Sequence, residues 1–458
     1  MRSSKPLANL NAEQLAAVEL MRSGANVFLS GGGGTGKSTI IETFVSSTTR
    51  KCLLVAPTGI AASRINGATI HRTFGFRQSV YLPTCELQLQ DELIEDLAHY
   101  EVLVIDEISM VRADFLDTID RTLQQVHGND LPFGGIQVIL VGDLYQLSPI
   151  ADERSYPILK QAYTGIFPFD AHCWERGNFQ PVILNQIHRQ SDPYFVNFLN
   201  ALRVGDVTDE ALEEFNRKVK ISFYSPPHSS ILCANNFYVD LTNRNREARL
   251  PAPSYFLPAK IQGLVDFDDL PVSEILELKL NSRIIMVANK QNSSGGYEYT
   301  NGNQGTVYDF YITDDGDYLI EIILDDGRGI TVERSQWQNK SMRFDPITRK
   351  IEEKIIGTCY QYPLKLGPAI SIHKSQGLSL DKVHLNLGLN RLFAAAMLYV
   401  ALSRCRTLEG LSLSRKLWRE DIRHHASIAA FYARIEQGGS LGSQPPPSSE
   451  TPDPSAAP

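Results

Sequence analysis

Gly31-Gly32-Gly33-Gly34-Thr35-Gly36-Lys37-Ser38 is the stretch on which the reading of this chain turns. A short apolar run, Asn26 to Ser30, leads into it, and a helical pattern from Lys37 to Ser46 leaves it, the strand-loop-helix context that a P-loop requires. Glycines allow backbone N–H groups to wrap a phosphate chain, while the helix N-terminus adds positive potential. Gly33, Gly34, Thr35 and Gly36 are therefore predicted to cradle phosphates and Lys37 to reach the β- and γ-phosphates. The Ser38 hydroxyl is predicted to ligate Mg2+, with Thr39 beside it in the same nucleotide-binding turn. ATP and Mg2+ are the implied ligands.

Working outward, Cys52 to Ala56, Val102 to Ile105 and Val138 to Val141 are further continuous apolar runs, the mark of strands buried on both faces. Helical patterns, Glu13 to Met21 and Ala113 to Val126 among them, lie between the runs, so the first 150 positions predict a parallel α/β sheet whose strands end at one crevice. The run from Val102 delivers Asp106 and Glu107 to that crevice. Asp106 is expected to hold the magnesium, and Glu107 to orient and deprotonate a water, which favours hydrolysis over nucleotide storage. Gln146, after the next buried strand, is placed for the γ-phosphate. Gln14, at the start of the first helix, can pair with both a donor and an acceptor on adenine.

The 458 residues suffice for two to four domains, and 43% hydrophobic with 21% charged residues excludes a disordered or collagen-like chain. No apolar stretch is long enough to span a membrane, and no secretory or targeting segment is seen, so the expectation is a cytoplasmic protein with no membrane partner. Six cysteines without a Cys-x-x-Cys pair indicate neither a disulfide framework nor a zinc site. The net charge of −8 conceals a polarised chain: residues 1 to 80 carry nine Lys/Arg against three acids, 86 to 120 one against eleven, and 364 to 434 eleven against four. Residues 284 to 364 change texture, with short alternating segments such as Thr306 to Ile312, Tyr318 to Leu324 and Gly329 to Glu333, separated by Asp-Asp-Gly turns. They predict a small antiparallel β barrel inserted into a second α/β region. Ser440 to Pro458, with six prolines, reads as a disordered tail.

Further blocks complete the pattern: Ala56-Pro57-Thr58-Gly59-Ile60-Ala61-Ala62, Gly67 to Phe74, the stretch Asp106 to Asp117, Gln186-Ile187-His188-Arg189-Gln190, Ser371-Ile372-His373-Lys374-Ser375-Gln376-Gly377 and Tyr399-Val400-Ala401-Leu402-Ser403-Arg404. From Leu10 to about Leu411 this ordered set resembles superfamily 1B helicases, most closely the Pif-one (petite integration frequency) family of 5′-to-3′ DNA helicases. RecD-like and Dda-like helicases share most blocks, and Asp106 to Asp117 favours the Pif-one reading over them. An ATP-gated DNA clamp without strand separation is the alternative from another class.

The resemblance implies two RecA-like domains. The first is 1–182, with a wedge insertion at about 75–90; the second is 183–280 with 365–435. An SH3-like barrel at 281–364 would cover the translocating strand or brace the fold, and 436–458 is the tail. It implies Arg189 and Arg404 as arginine fingers and assigns Gly377 to the nucleotide. Its DNA contacts fall on Thr58, Thr69, His71, Phe74, Asn235, His373, Lys374 and Ser375. For His71 a satisfied, partly buried histidine is the competing reading, and for Phe74 a core aromatic. The implied partners are single-stranded DNA, 5′-tailed duplex or fork DNA and G-quadruplex DNA, handled by a monomer of bacterial or phage type in replication, repair, recombination or telomere maintenance.

Overall fold

The computed structural model describes residues 10–76, 80–84, 86–153, 155–226, 229–265, 267, 270–291, 297–314, 316–345 and 350–437. The proline-rich tail from 438 and part of the predicted wedge (77–79 and 85) lie outside the described residues. The chain divides into two compact units, one running to Ala234 and resuming at Ser371, the other spanning Asn235–Ile370.

The first unit contains two parallel sheets. In the P-loop half, β1 (Val27–Gly31), β2 (Cys52–Ala56), β3 (Ala68–Thr69), β4 (Val102–Ile105), β5 (Gln137–Gly142) and β6 (Gln180–Leu184) lie in the order β3-β2-β4-β5-β1-β6. All pairs are parallel. Every residue of β1, β4 and β5 is buried, as continuous apolar runs require when helices cover both faces. Register aligns the carboxyl ends, with Ser30 beside Gly142 and Ile105 beside both Val55 and Leu140. Loops leaving β1, β4 and β5 thus open side by side. The interleaved helices are α1 (Ala12–Arg22), α2 (Lys37–Ser47), α3 (Gly59–Arg64), α4 (Ile70–Phe74), α5 (Asp91–Leu97) and α6 (Ala113–His127). The second half pairs Ser230–Cys233, Val383–Asn386, Leu411–Leu413 and Lys220–Ile221 in parallel.

Two expected boundaries move. Helix Ala426–Glu436, assigned by sequence to the second domain, returns to the core of the P-loop half. Phe431 packs edge-on to Phe28 and Trp174 and stacks on Phe169, while Tyr432 stacks on Tyr145 at 4.8 Å. Burying large aromatic surfaces outweighs proximity in sequence. The inserted unit, expected from 281, begins at Asn235 and so takes in helix Asn236–Glu247 and strands Tyr255–Pro258, Lys260–Gly263 and Ile275–Leu278. That helix is tied to the unit because Asn243 donates to the carbonyls of Leu366 and Ala369, and Ser282 donates to Glu247. The barrel itself is a five-stranded antiparallel sheet built on Gln304–Ile312 and Tyr318–Leu324, with Val307, Ile320 and Ile322 at its centre. The described cysteines, 52, 173, 233, 359 and 405, are all free thiols.

His384 lies in the second half's sheet with Nδ1 3.0 Å from the Ser412 hydroxyl, and burial lowers its pKa to about 4 from 6.5. The unfolded imidazole therefore protonates first as pH falls, so this site's stability is complete above pH 6.5 and drains away toward pH 4. A shift of that size corresponds to roughly 3 kcal/mol at most. Urea unfolding at pH 7 and pH 4.5 should show His384→Gln losing less stability than wild type over this interval; parallel losses would contradict the assignment.

Candidate active site and nucleic-acid interface

The P-loop lines a cavity of about 490 Å3 together with Ser38, Arg64, Glu107, Gln146, His188, Arg189, Gly377, Ser379, Arg404 and Arg406. Gly34 and Gly36 have φ of +90° and +88°, and a Cβ on Gly36 would lie 2.4 Å from Gln14 Nε2. Only glycine takes this turn without strain. Helix α2 starts without a side-chain cap, leaving its first-turn N–H groups for an anion. The Lys37 ammonium donates to the carbonyls of Gly31 (2.7 Å) and Gly32 (3.1 Å). Burial pushes it below the ordinary lysine range, against the pull of Asp143, Glu107 and Asp106. The Thr35 hydroxyl points back to Gly32 O. Thr39 sits in the first turn of α2, its carbonyl accepting from Thr43. Gln14 accepts from Asn11 N, and its amide nitrogen donates to Thr35 O and lies 3.5 Å from His188 Nε2, so one acceptor position on Oε1 remains for a base.

Asp106 and Glu107 leave β4 buried, at 1% and 4% exposure. Glu107 has φ 52° and ψ 46°, a left-handed conformation that costs a non-glycine residue about 1–3 kcal/mol and is retained where a side chain must be aimed. Its carboxylate accepts from Gln376 Nε2 at 3.0 Å. Burial and the neighbouring Glu107 raise the Asp106 pKa, and Arg64, 3.0 Å away, opposes them. Ser38 and Asp106 are hard oxygen donors, and Asp106 already holds a cationic group, so the pair fits Mg2+, which takes one or two protein oxygens and completes its shell with phosphates and water.

Both expected fingers reach this cavity from beyond the P-loop half. Arg189 donates to Ser403 O, and its Cβ lies where a side chain on Gly34 would go. Arg404 is 1% exposed and donates to Val400 O, Leu378 O and the Ser403 hydroxyl. None of these partners is a carboxylate. Burial, then repulsion from Arg189, lowers its pKa to about 9 from 12.5. Gln146 is 3% exposed, and its Oε1 has no hydrogen-bond partner among the described residues, an acceptor held ready for a donor.

Sequence reasoning missed the network that holds this geometry. Tyr399 accepts from Gly33 N (2.9 Å) and donates to Asp143 (3.3 Å). Asp143 in turn accepts Nε and Nη2 of Arg203 at 2.8 to 3.2 Å, and that guanidinium lies over Tyr145 and Tyr432. Tyr432 also bonds Ser30 and accepts from Leu144 N. Tyr399 stood inside a quoted block, which was the one available signal. Arg64 lies just after the Ala56 to Ala62 block and carries no signal of its own, whereas Gln376, beside Lys374, is legible as a nucleotide-side residue of a shared loop.

The predicted nucleic-acid residues divide. Thr58 and Thr69 each accept one backbone N–H (Ala61, Arg72), which leaves the hydroxyl proton free to donate to a phosphate. His71 is exposed, its ring edge-on to Phe115 at 5.0 Å, and Lys374 is exposed. Partly buried His373 stacks on Phe393. Partial desolvation of its packed ring, then the Arg112 charge, lowers the His71 pKa, and burial lowers that of His373, so each acts as a neutral imidazole near neutral pH. Asn235 caps helix Asn236–Glu247 through Tyr238 N. Two expectations are corrected. Phe74 is 3% exposed inside the core against Phe76, so it cannot stack on a base, and Ser375 is fully buried with its hydroxyl spent on Ile372 O. In the wedge, Phe76 and Tyr81 face inward onto Phe115.

Fold and site define a P-loop protein with two RecA-like halves and an inserted β unit. Residues 9–212 match the family model described as PIF1-like helicase. The chain is 33% identical over 444 residues to zebrafish (Danio rerio) ATP-dependent DNA helicase PIF1, covering 93% of this chain and 64% of that protein. It is 31% identical to ATP-dependent DNA helicase Pif1 of Bdellovibrio bacteriovorus, covering 88% and 87%. The chain thus spans just under two thirds of the zebrafish relative's length. Bacteroides Pif1 bound to single-stranded DNA superposes with TM-score 0.82 at 33% identity, covering 95% of this chain and 99% of that one. The chain belongs to the PIF1-like helicase family. No helix among the described residues is long and apolar enough to cross a membrane.

Asp143 is fully buried and Arg203 is 17% exposed, whereas Glu214 and Lys218 form an exposed i,i+4 pair. Denaturant melts of the protein alone should show Asp143→Asn costing about 3 kcal/mol and Glu214→Gln less than about 0.5 kcal/mol. Equal effects would mean that the network holds nothing together.

Proposed function

We propose that this protein is an ATP-dependent DNA helicase that moves 5′ to 3′ along single-stranded DNA and separates duplex ahead of it, with Mg2+ as the metal of its ATP site. The observation that carries the reading is the buried Arg404 guanidinium. Among the described residues its hydrogen-bond partners are all uncharged, Glu107 attracts it only through space, and it faces the same cavity as the P-loop, Lys37 and Arg189. A buried charge calls for a counter-ion, and a triphosphate supplies it. Names support the reading too: the zebrafish and Bdellovibrio relatives are ATP-dependent DNA helicases, and Bacteroides Pif1 has been crystallised with ADP-AlF3 and single-stranded DNA.

In this reading Lys37 leaves the Gly31 and Gly32 carbonyls for the phosphates, and Ser38 and Asp106 would hold Mg2+, which would supply positive charge to the triphosphate. Glu107 orients the attacking water and accepts its proton. Arg189 and Arg404 bring positive charge to the γ-phosphoryl oxygens, a contribution of about 10³ to 10⁵ in rate for such fingers. Since they come from beyond the P-loop half, ATP draws the halves together and hydrolysis releases them. Thr58, at the head of α3, and Lys374, two residues before Gln376, carry that motion to a DNA strand. Neutral hydroxyl and imidazole donors at Thr58, Thr69, His71 and His373 grip phosphates and let go each cycle. Single-stranded, 5′-tailed and forked DNA are the substrates this arrangement takes.

Duplexes with 5′ and 3′ tails, compared side by side, should be unwound only from the 5′ tail. Lys37→Ala should abolish unwinding. Arg404→Ala should cut DNA-stimulated kcat at least about 10³-fold while leaving ATP bound. ATP turnover without strand separation on either tail would favour a clamp. Affinity for single strands should fall with salt, with a log-log slope of about −0.7 per phosphate neutralised; a flat dependence would remove the DNA track.

A further inference from the structure

Arg64 belongs to none of the roles above, yet it is the group that closes the acid end of the cavity. It ends α3, a helix of six residues that begins directly after Thr58. One nitrogen, Nη2, lies 3.0 Å from Asp106 Oδ2 and 3.5 Å from Glu107 Oε1. The other, Nη1, donates to the Gly377 carbonyl at 2.9 Å. Gly377 has φ +85°, and a Cβ there would lie 2.4 Å from this same Nη1, so the fork approaches bare backbone. Its Nε is buried with no hydrogen-bond partner among the described residues. The side chain is one-third exposed, while the carboxylates it touches are almost wholly buried.

We infer that Arg64 is a positioning residue that stands in for the metal: it neutralises Asp106 and Glu107 and ties them to Gly377 until a divalent cation takes Asp106 from it. Two adjacent buried carboxylates need a counter-charge, and a planar fork supplies one with two directed donors. A divalent ion at Asp106 delivers more charge to the same oxygen, so guanidinium and metal compete for it. The partly exposed Arg64 can withdraw toward solvent, whereas Asp106 cannot. Losing Asp106 also loosens the grip on Gly377, so metal entry unfastens the contact that Arg64 makes with the second half. The inference rests on the proposed nucleotide site and adds a residue to it.

Mn2+ binding, followed by electron paramagnetic resonance at pH 8 with ADP present, tests this without measuring turnover. Arg64→Gln should bind Mn2+ about fivefold more tightly than wild type, the size of a partly exposed ion pair. Arg64→Lys keeps the charge and should stay near wild type, which separates competition from a general disturbance of α3. Equal or weaker Mn2+ binding by Arg64→Gln, in protein that binds ADP normally in EDTA, overturns the inference. Equal tightening by Arg64→Lys also overturns it, because charge would then be irrelevant. The nucleotide reading fails separately, if wild type plus ADP holds no more Mn2+ than ADP alone.

Discussion

A guanidinium taken out of water without a carboxylate beside it is the constraint on which the arrangement depends. Arg404 is held by two main-chain carbonyls and a serine hydroxyl, which satisfy its geometry, and its charge is met only through space by Glu107. Arg189 adds further positive charge beside it, and Arg64 repels it from the acid end of the cavity. The opposite wall is the glycine loop, the uncapped start of α2 and Lys37, so donors and cations converge on a volume suited to a polyanion. The rest of the first unit can be understood as the frame that keeps those walls facing. Tyr399 bonds the P-loop at Gly33, Asp143 receives Arg203, and Tyr432 reaches back to Ser30 and Leu144.

Strand order turns this frame into a candidate machine. β1, β4 and β5 occupy the middle of the sheet and carry the P-loop, the acid pair and Gln146, whereas β2 and β3 lie toward one edge and carry Thr58 and Thr69. The two sets are joined by α3, which starts beside Thr58 and ends at Arg64 against the acids. A displacement of six residues of helix is enough to connect them. Coupling of this kind needs an element that both sites touch, and α3 joins Thr58 to the acid pair.

Much of this was legible in the amino-acid order. The P-loop, the apolar strands and the Asp106-Glu107 step are local patterns, in which neighbours in sequence do the work together. The barrel strands were read almost to the residue because alternation and Asp-Asp-Gly turns are equally local. What escaped was long-range. Tyr399 meets Gly33 across 366 positions, Arg64 meets Gly377 across 313, and Tyr432 meets Ser30 across 402. No periodicity announces such partners. The return of helix Ala426–Glu436 was hidden for the same reason, since an amphipathic helix shows which face is apolar and not which sheet will cover it. Phe74 and Ser375 failed differently. A shared block fixes the fold of a segment, but the side chains within it alternate between core and surface, and both of these turned inward.

The account stands most directly on where the arginines go when the site is filled. A crystal structure with a non-hydrolysable ATP analogue, Mg2+ and a short single strand should place guanidinium nitrogens of Arg189 and Arg404 within about 3 Å of γ-phosphate oxygens, with Lys37 on the β- and γ-phosphates. Halves fully closed on the nucleotide, with both guanidinia still turned to the Ser403 and Val400 carbonyls, would contradict it.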